Sequence, residues 1–252
     1  MRILLTNDDG ILAEGLGALY EELRNDFEVF VVAPETEMSA VGHAITLANP
    51  LRVRSVKRKG GFFGYGVSGT SADCVKIAVH EILQQRPDIV LSGINLGSNV
   101  GIDILYSGTA SAATEGAFLG IPSVALSLNT KDNPDFGFAA RFSRRLIRLI
   151  THHGLKDRTA LNVNIPAKPE NHIKGVQFTT QDLVSHRDVY EKRSDPRGDV
   201  YYWLALEVPV KESPPNTDLN ALLDDWITIT PISFDLTEPD EVERLRSIGF
   251  DL

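Results

Sequence analysis

Two adjacent carboxylates stand where a buried strand should end. The segment Thr6-Asn7-Asp8-Asp9-Gly10 follows the apolar run Ile3-Leu4-Leu5. Side by side, two such groups repel one another unless a proton or a cation intervenes, and a hard divalent metal is the simplest resolution. A plain polar turn competes with that reading, because Asn, Asp and Gly all form turns. Further polar groups sit in comparable places. Ser39 lies in the loop after a second apolar run, Phe30-Val31-Val32-Ala33, and Asn95 follows the run that ends near Ile94. Tyr106-Ser107-Gly108-Thr109 directly precedes an Ala-rich stretch. If the apolar runs are parallel strands, all these ends share one edge of a sheet. Gly10 lets the chain turn at once, so Asp8 and Asp9 could reach one ion, although inside a strand they would face opposite ways. With the Ser39 hydroxyl and the Asn95 carbonyl oxygen they form an all-oxygen shell suited to Mg²⁺ or Mn²⁺. Taken singly, Ser39 reads as a solvated hydroxyl and Asn95 as a turn residue.

Ser107-Gly108-Thr109 reads as an anion cradle, since the free N–H groups of a helix start favour negative charge and Gly108 permits close approach. A simple N-cap by Ser107 or Thr109 is compatible with that. The chain has neither Gly-x-x-x-x-Gly-Lys-Ser/Thr nor Gly-x-Gly-x-x-Gly, so no P-loop or dinucleotide site is inferred. His43, four residues after Ser39, could orient or protonate a leaving group; the bland alternative is a hydrogen-bonded loop histidine. Cys74 falls inside a helical stretch and reads as core, not as a nucleophile.

The elements that must position these residues follow from periodicity. Residues 2–6 read as a strand, and residues 12–24 as a helix with Leu12, Leu16, Leu19, Tyr20 and Leu23 on one face. Residues 45–67 read as short strands laid over the sheet edge. Thr70 caps the next helix, with Asp73 completing a capping box. Strands follow at Asp88–Ile94, Pro122–Leu128 and Ala160–Ile165, separated by helices at 109–119 and 137–151. Repeated β-α-β units predict an α/β fold: a doubly wound, mostly parallel, Rossmann-like sheet over residues 1–174. Residues 175–252 read as an arm without a core of its own. It comprises a β-hairpin with strands Val176–Thr180 and Val200–Val208 around a charged middle, a returning strand Trp226–Ile232 and a short C-terminal helix from Asp240 to Ile248. Tyr201, Tyr202 and Trp203 are more aromatic surface than one face of an isolated ribbon hides. A homodimer, or its pairing into a tetramer, is therefore expected through residues 176–210 and the C-terminus.

The chain has 252 residues. For 27.7 kDa a folded surface of roughly 11,000 Å² is expected, with about 73% of the unfolded surface buried. That supports one sizeable core without staples. The single cysteine permits no intrachain disulfide and fits a reducing compartment. No apolar stretch approaches the ~20 residues of a membrane span, and no signal-peptide pattern opens the chain, so a cytoplasmic protein is expected. A net charge of −9 argues against a large nucleic-acid surface but not against a small phosphorylated substrate held through a metal.

The segments that carry this chemistry also carry a resemblance. They are Thr6-Asn7-Asp8-Asp9-Gly10, Ser39-Ala40-x-Gly42-His43, Gly69-Thr70-x-Ala72-Asp73, Ser92-Gly93-Ile94-Asn95-x-Gly97-x-Asn99-x-Gly101, Tyr106-Ser107-Gly108-Thr109, Asn162-Val163-Asn164-x-Pro166 and Asp195-Pro196-Arg197-Gly198. In order and spacing the chain resembles the SurE survival-protein family of metal-dependent 5′/3′-nucleotidases. The resemblance implies one divalent metal per subunit, Mg²⁺ or Mn²⁺, on Asp8, Asp9, Ser39 and Asn95. It implies phosphate held by Ser107, Gly108 and Thr109, with Asn95 beside them, and arms that reach across or swap between subunits. The expected reaction is hydrolysis of nucleoside monophosphates, or other small phosphomonoesters, by a metal-activated water, with Asp8 or Asp9 taking a proton. Two alternatives stay open. An aspartyl-phosphate phosphatase usually has its carboxylates two apart, whereas here they are adjacent. A nucleotide-sensing module without turnover would need the same cradle. Ser71 stands where the family often has proline, and Asp224-Asp225-Trp226 departs from the usual stretch before the last strand.

Overall fold

The computed structural model describes residues 1–130, 132–184, 186–209 and 212–249. Strand β1 (Arg2–Thr6) explains why the sheet has two covered faces. Alternation sends Ile3 and Leu5 to one side and Leu4 to the other, and all three are fully buried. Helices α1 (Glu14–Leu23) and α4 (Gly137–His153) cover the first side, where Leu16, Leu19, Ile147 and Ile150 meet Ile3 and Leu5. Helix α2 (Ser71–Ile77) covers the second, with Cys74 and Val75 against Leu4 and Val90. Beside it, α3 (Gly108–Phe118) lays Ala110, Ala113 and Ala117 on Ala125 and Ala160. That contact needs small residues: a Cβ on Gly116 would lie 2.3 Å from the Ser123 hydroxyl.

The remaining strands are β2 (Glu28–Pro34), β3 (Val53–Arg58), β4 (Gly61–Val67), β5 (Ile89–Leu96), β6 (Ser123–Asn129), β7 (Thr159–Pro166), β8 (Val176–Phe178), β9 (His186–Ser194), β10 (Val200–Pro209) and β11 (Ile227–Ser233). Helices α5 (Asp218–Leu223) and α6 (Pro239–Ile248) complete the fold. The central sheet has the order β3-β4-β2-β1-β5-β6-β7-β11-β8, and β9 and β10 form a separate antiparallel ribbon. Pairing is parallel from β4 through β7. Antiparallel neighbours occur at β3 with β4 and at β7 with β11. The doubly wound, mostly parallel sheet with a hairpin arm is thus present. After β1 the chain moves to one side through β2 and β4, then returns to the other through β5. The switch point lies between β1 and β5, where ligands bind in such sheets.

Several local expectations need correction. Leu12 precedes α1 and is exposed, so it is not on the buried stripe. The hairpin does not pair Val176–Thr180 with Val200–Val208. Strand β8 instead joins the central sheet beside β11, and the charged middle is itself the strand β9, paired with β10. The true turn is Asp195–Asp199, where Asp195 accepts from the N–H groups of Arg197 and Asp199. Helix α5 arises just before the returning strand, where no element is expected from the sequence. The proposed division at residue 174 therefore leaves β8 and β11 on the sheet of residues 1–174. Ser185, Val210, Lys211 and residues 250–252 of the arm, the last being the C-terminus expected in the interface, lie outside the described residues.

Candidate active site

The ends of β1 and β5 open onto a cleft of about 1050 Å³. Its floor is built by local chemistry. Asn7 is fully buried and donates from Nδ2 to the Gly10 carbonyl at 3.0 Å, closing the turn that displays Asp8 and Asp9. Gly10 has φ +99°, a backbone region that favours glycine. The Met38 N–H donates to the Asp8 carbonyl at 2.8 Å and the Gly42 N–H to the Tyr106 carbonyl at 3.0 Å. The Ser39 loop is thereby strapped to both β1 and the turn before α3. Ser39 is exposed and donates to Glu37 at 2.7 Å, and both line the cleft. Asn95 spends its Nδ2 on the Gly97 carbonyl at 2.9 Å, which leaves Oδ1 for the cleft.

Asp8 and Asp9 share this floor in different environments. Asp8 is 4% exposed and accepts from the Thr109 hydroxyl. Burial raises its pKa, opposed by that hydrogen bond and by the N–H groups of Thr109 and Gly108. Asp9 is pushed up to about 6 by burial first and then by the charge of Asp8, with the Leu96 N–H opposing. Both carboxylates are therefore destabilised in the charged form, which is what a cation would relieve. The donor chemistry fits a hard divalent ion: two carboxylates, a hydroxyl and an amide oxygen, all facing one cavity. Among the described residues no group of three or more His, Cys, Asp or Glu gathers as a metal site, so at this floor the Asp8–Asp9 pair would need the neutral oxygens of Ser39 and Asn95 to complete a shell.

The sequence-derived phosphate residues divide. Ser107 lines the cleft and caps α3, accepting from the Ala110 N–H at 3.0 Å. Gly108 and Thr109 lie behind Asp8. Thr109 is fully buried, and a Cβ on Gly108 would meet the Asp8 Cβ at 2.6 Å. The start of α3 thus already faces an anion, the Asp8 carboxylate, which the Thr109 hydroxyl and the nearby Gly108 and Thr109 N–H groups favour. His43 does not line the cleft. Its Nε2 meets Glu115 at 2.8 Å and its Nδ1 faces the Thr114 hydroxyl at 3.2 Å, so it pins the far end of the Ser39 loop to α3. Burial raises the Glu115 carboxyl, but the His43 and Lys76 hydrogen bonds and charges outweigh it and leave the pKa lowered. Asp73 and Thr70 form the capping box at α2, at 3.0 and 3.1 Å.

Some residues at the cleft went unassigned in the sequence. The Asn99 N–H donates to Asn164 Oδ1 at 2.8 Å, and its carbonyl accepts from Asn162 at 2.7 Å and Asn164 at 3.0 Å. Its own Nδ2 reaches Ser127 at 2.9 Å. This buried network fixes the β5 loop. The i, i+2 spacing of the two β7 asparagines was the available signal, because it puts both on one face of the strand. Phe136, Tyr190 and Leu204 also reach the wall, the last two from the ribbon.

Comparison with known proteins identifies the family. A family model described as survival protein SurE matches residues 3–188. The chain is 52% identical over 249 residues to the 5′-nucleotidase SurE of Syntrophus aciditrophicus, covering 98% of this chain and 94% of the relative. It is 50% identical over 245 residues to the 5′-nucleotidase SurE of Syntrophobacter fumaroxidans, covering 97% and 98%. It superposes on the crystal structure of the SurE protein from Aquifex aeolicus with a TM-score of 0.86 at 38% identity, covering 98% of this chain and 99% of that one. The family model spans most of the chain and the relatives nearly all of it, and this protein belongs to the SurE survival-protein family.

Proposed function

We propose that the protein is a metal-dependent phosphomonoesterase that hydrolyses nucleoside 5′- and 3′-monophosphates to nucleoside and phosphate. The observation that carries the metal requirement is the charge of the cleft. Asp8, Asp9, Glu14, Glu37 and Asp103 line it, and no described Lys, Arg or His does. Such a wall repels a phosphate dianion until a cation reverses the local sign. The names of the relatives, 5′-nucleotidase SurE, support the nucleotide as substrate.

Asp8, Asp9, Ser39 and Asn95 are the residues that would hold one Mg²⁺ or Mn²⁺, whose chemistry is Lewis-acid charge neutralisation and activation of water. Of the four residues expected to take the phosphate, Ser107 and Asn95 line the cleft and would receive it, while Gly108 and Thr109, behind Asp8, would act on it only through that carboxylate. Asp9 is the more open carboxylate and, among the described residues, accepts from no side chain, which supports Asp9 over Asp8 as the proton acceptor. His43 acts at a distance by holding the Ser39 loop.

The protein works as a homodimer, or a tetramer of paired dimers, with the ribbon in the interface. Its surface of 14,491 Å² exceeds the roughly 11,000 Å² expected for a free-standing monomer of this mass. Tyr202 and Trp203 contribute to that excess, at 59% and 60% exposed. Among the described residues no helix is long and apolar enough to cross a membrane, and the lone buried Cys74 suits the cytoplasm. The deciding assay is phosphate release from 5′-AMP and 3′-AMP with Mn²⁺ or Mg²⁺, before and after chelation. Release that needs the metal is expected, and full activity in EDTA would refute the proposal.

A further inference from the structure

The cleft is larger than a cation and a phosphate group require, and part of its wall is not polar. Phe136, from the loop between β6 and α4, faces it, as does Tyr106 from the turn before α3. The ribbon supplies the rest. Tyr190 and Leu204 are partners in the β9–β10 register, so their side chains stand on the same face, and both line the cleft. They remain 57% and 49% exposed, large apolar groups with half their surface uncovered. The ribbon is a separate two-stranded sheet, so the hydrogen bonding of the central sheet does not dictate its place over the cleft.

From these observations we propose that Tyr190 and Leu204, together with Phe136 and Tyr106 of the same cleft, form a nucleobase subsite that sets the enzyme's preference for nucleotides over small phosphomonoesters. The inference rests on the phosphomonoesterase reading above and adds which residues select the substrate. A flat heterocycle suits this wall, because aromatic faces stack on any base. The wall recognises the π-face and not a pattern of donors and acceptors. Recognition is therefore tolerant of base identity, with purines favoured over pyrimidines by contact area. A cleft of about 1050 Å³ lies at the upper limit of ordinary small-molecule sites and has room for a whole nucleotide beyond the phosphate.

Adenosine separates this subsite from the metal and phosphate chemistry, because it carries no phosphate and its binding needs no turnover. Calorimetric titration of the intact protein with adenosine should show binding. Tyr190→Ala and Leu204→Ser, both at exposed positions, should weaken it roughly tenfold, and Tyr190→Trp should restore it. In turnover the same two variants should raise KM for AMP roughly tenfold with kcat little changed, and leave kcat/KM for glycerol 2-phosphate within about twofold. No adenosine binding by the parent, or equal binding by parent and variants, overturns the proposal. So does a parallel loss of activity on AMP and glycerol 2-phosphate. A parent that binds adenosine through Tyr190 but releases phosphate from no ester would overturn the phosphomonoesterase reading and leave the subsite standing.

Discussion

The floor of the cleft and the ribbon above it are built on opposite terms. Asp8 is nearly enclosed, tied to Thr109 through its side chain and to Met38 through its carbonyl, with Gly108 packed against its Cβ. Among the described residues the ribbon's strands pair with each other and not with the central sheet, and Tyr201, Tyr202 and Trp203 are 41%, 59% and 60% exposed. A two-stranded hairpin is marginal when nothing covers it. The contrast separates two ways of positioning functional groups. At the floor the protein's own core sets the geometry before any ligand arrives. At the ribbon the pairing of the central sheet sets nothing, and under the readings proposed above substrate or a second subunit would lie against it.

The largest effect should come from the floor. Asp8→Asn or Asp9→Asn should reduce phosphate release from AMP by at least about a thousandfold while leaving the melting temperature equal or higher, because each removes a destabilised charge. A variant that keeps substantial activity would break the claim that the floor is the reacting centre. Gly108→Ala comes next. The new Cβ would press on Asp8, so activity should fall about a hundredfold, with a loss of about 1–3 kcal/mol in denaturant unfolding. If stability alone falls and kcat is kept, the close packing of Gly108 serves the core and not the carboxylate.

At the ribbon the same size of change should do something different. Trp203→Ser removes an exposed aromatic on the ribbon face opposite to Tyr190 and Leu204. Light scattering should show weaker self-association, while activity per subunit stays within about threefold. A parent protein that is monomeric at micromolar concentration would remove the interface from the ribbon. The smallest effect concerns the scaffold behind the floor. Glu115 has a lowered pKa, so its contribution is present above the unfolded value near 4.5 and is lost as pH falls through the folded value. Glu115→Gln should cost about 1 kcal/mol at pH 7 and flatten the acid limb of stability between about pH 5 and 3 in thermal melts. An unchanged acid limb would show that the His43–Glu115–Lys76 cluster adds nothing to stability.

Much of the core was legible because its signals are local. The strand ending at Thr6 is apolar and short, and Gly10 supplies the turn that follows. The Thr70–Asp73 capping box depends on four consecutive residues, and both of its hydrogen bonds are present. The convergence of Asp8, Asp9, Ser39 and Asn95 on one cavity followed from the parallel order of the strands. The ribbon was misread for the opposite reason. A charged strand with little burial has no hydrophobic pattern to mark it or fix its register, so Val176–Phe178 was paired with the wrong element.

By itself the sequence determined which residue types could react and on which strand ends they would lie, because periodicity and turn chemistry act over a few neighbouring residues. Tertiary structure decided how they are occupied. It turned Gly108 and Thr109 toward Asp8, spent His43 on Glu115, clamped Asn99 with two distant asparagines and brought Tyr190 and Leu204 over the cleft. Those outcomes depend on contacts between residues 70 to more than 100 positions apart, apart from the Asn99 clamp at 63 to 65. Such contacts form only when packing of the whole sheet brings the residues together, and no local pattern encodes them.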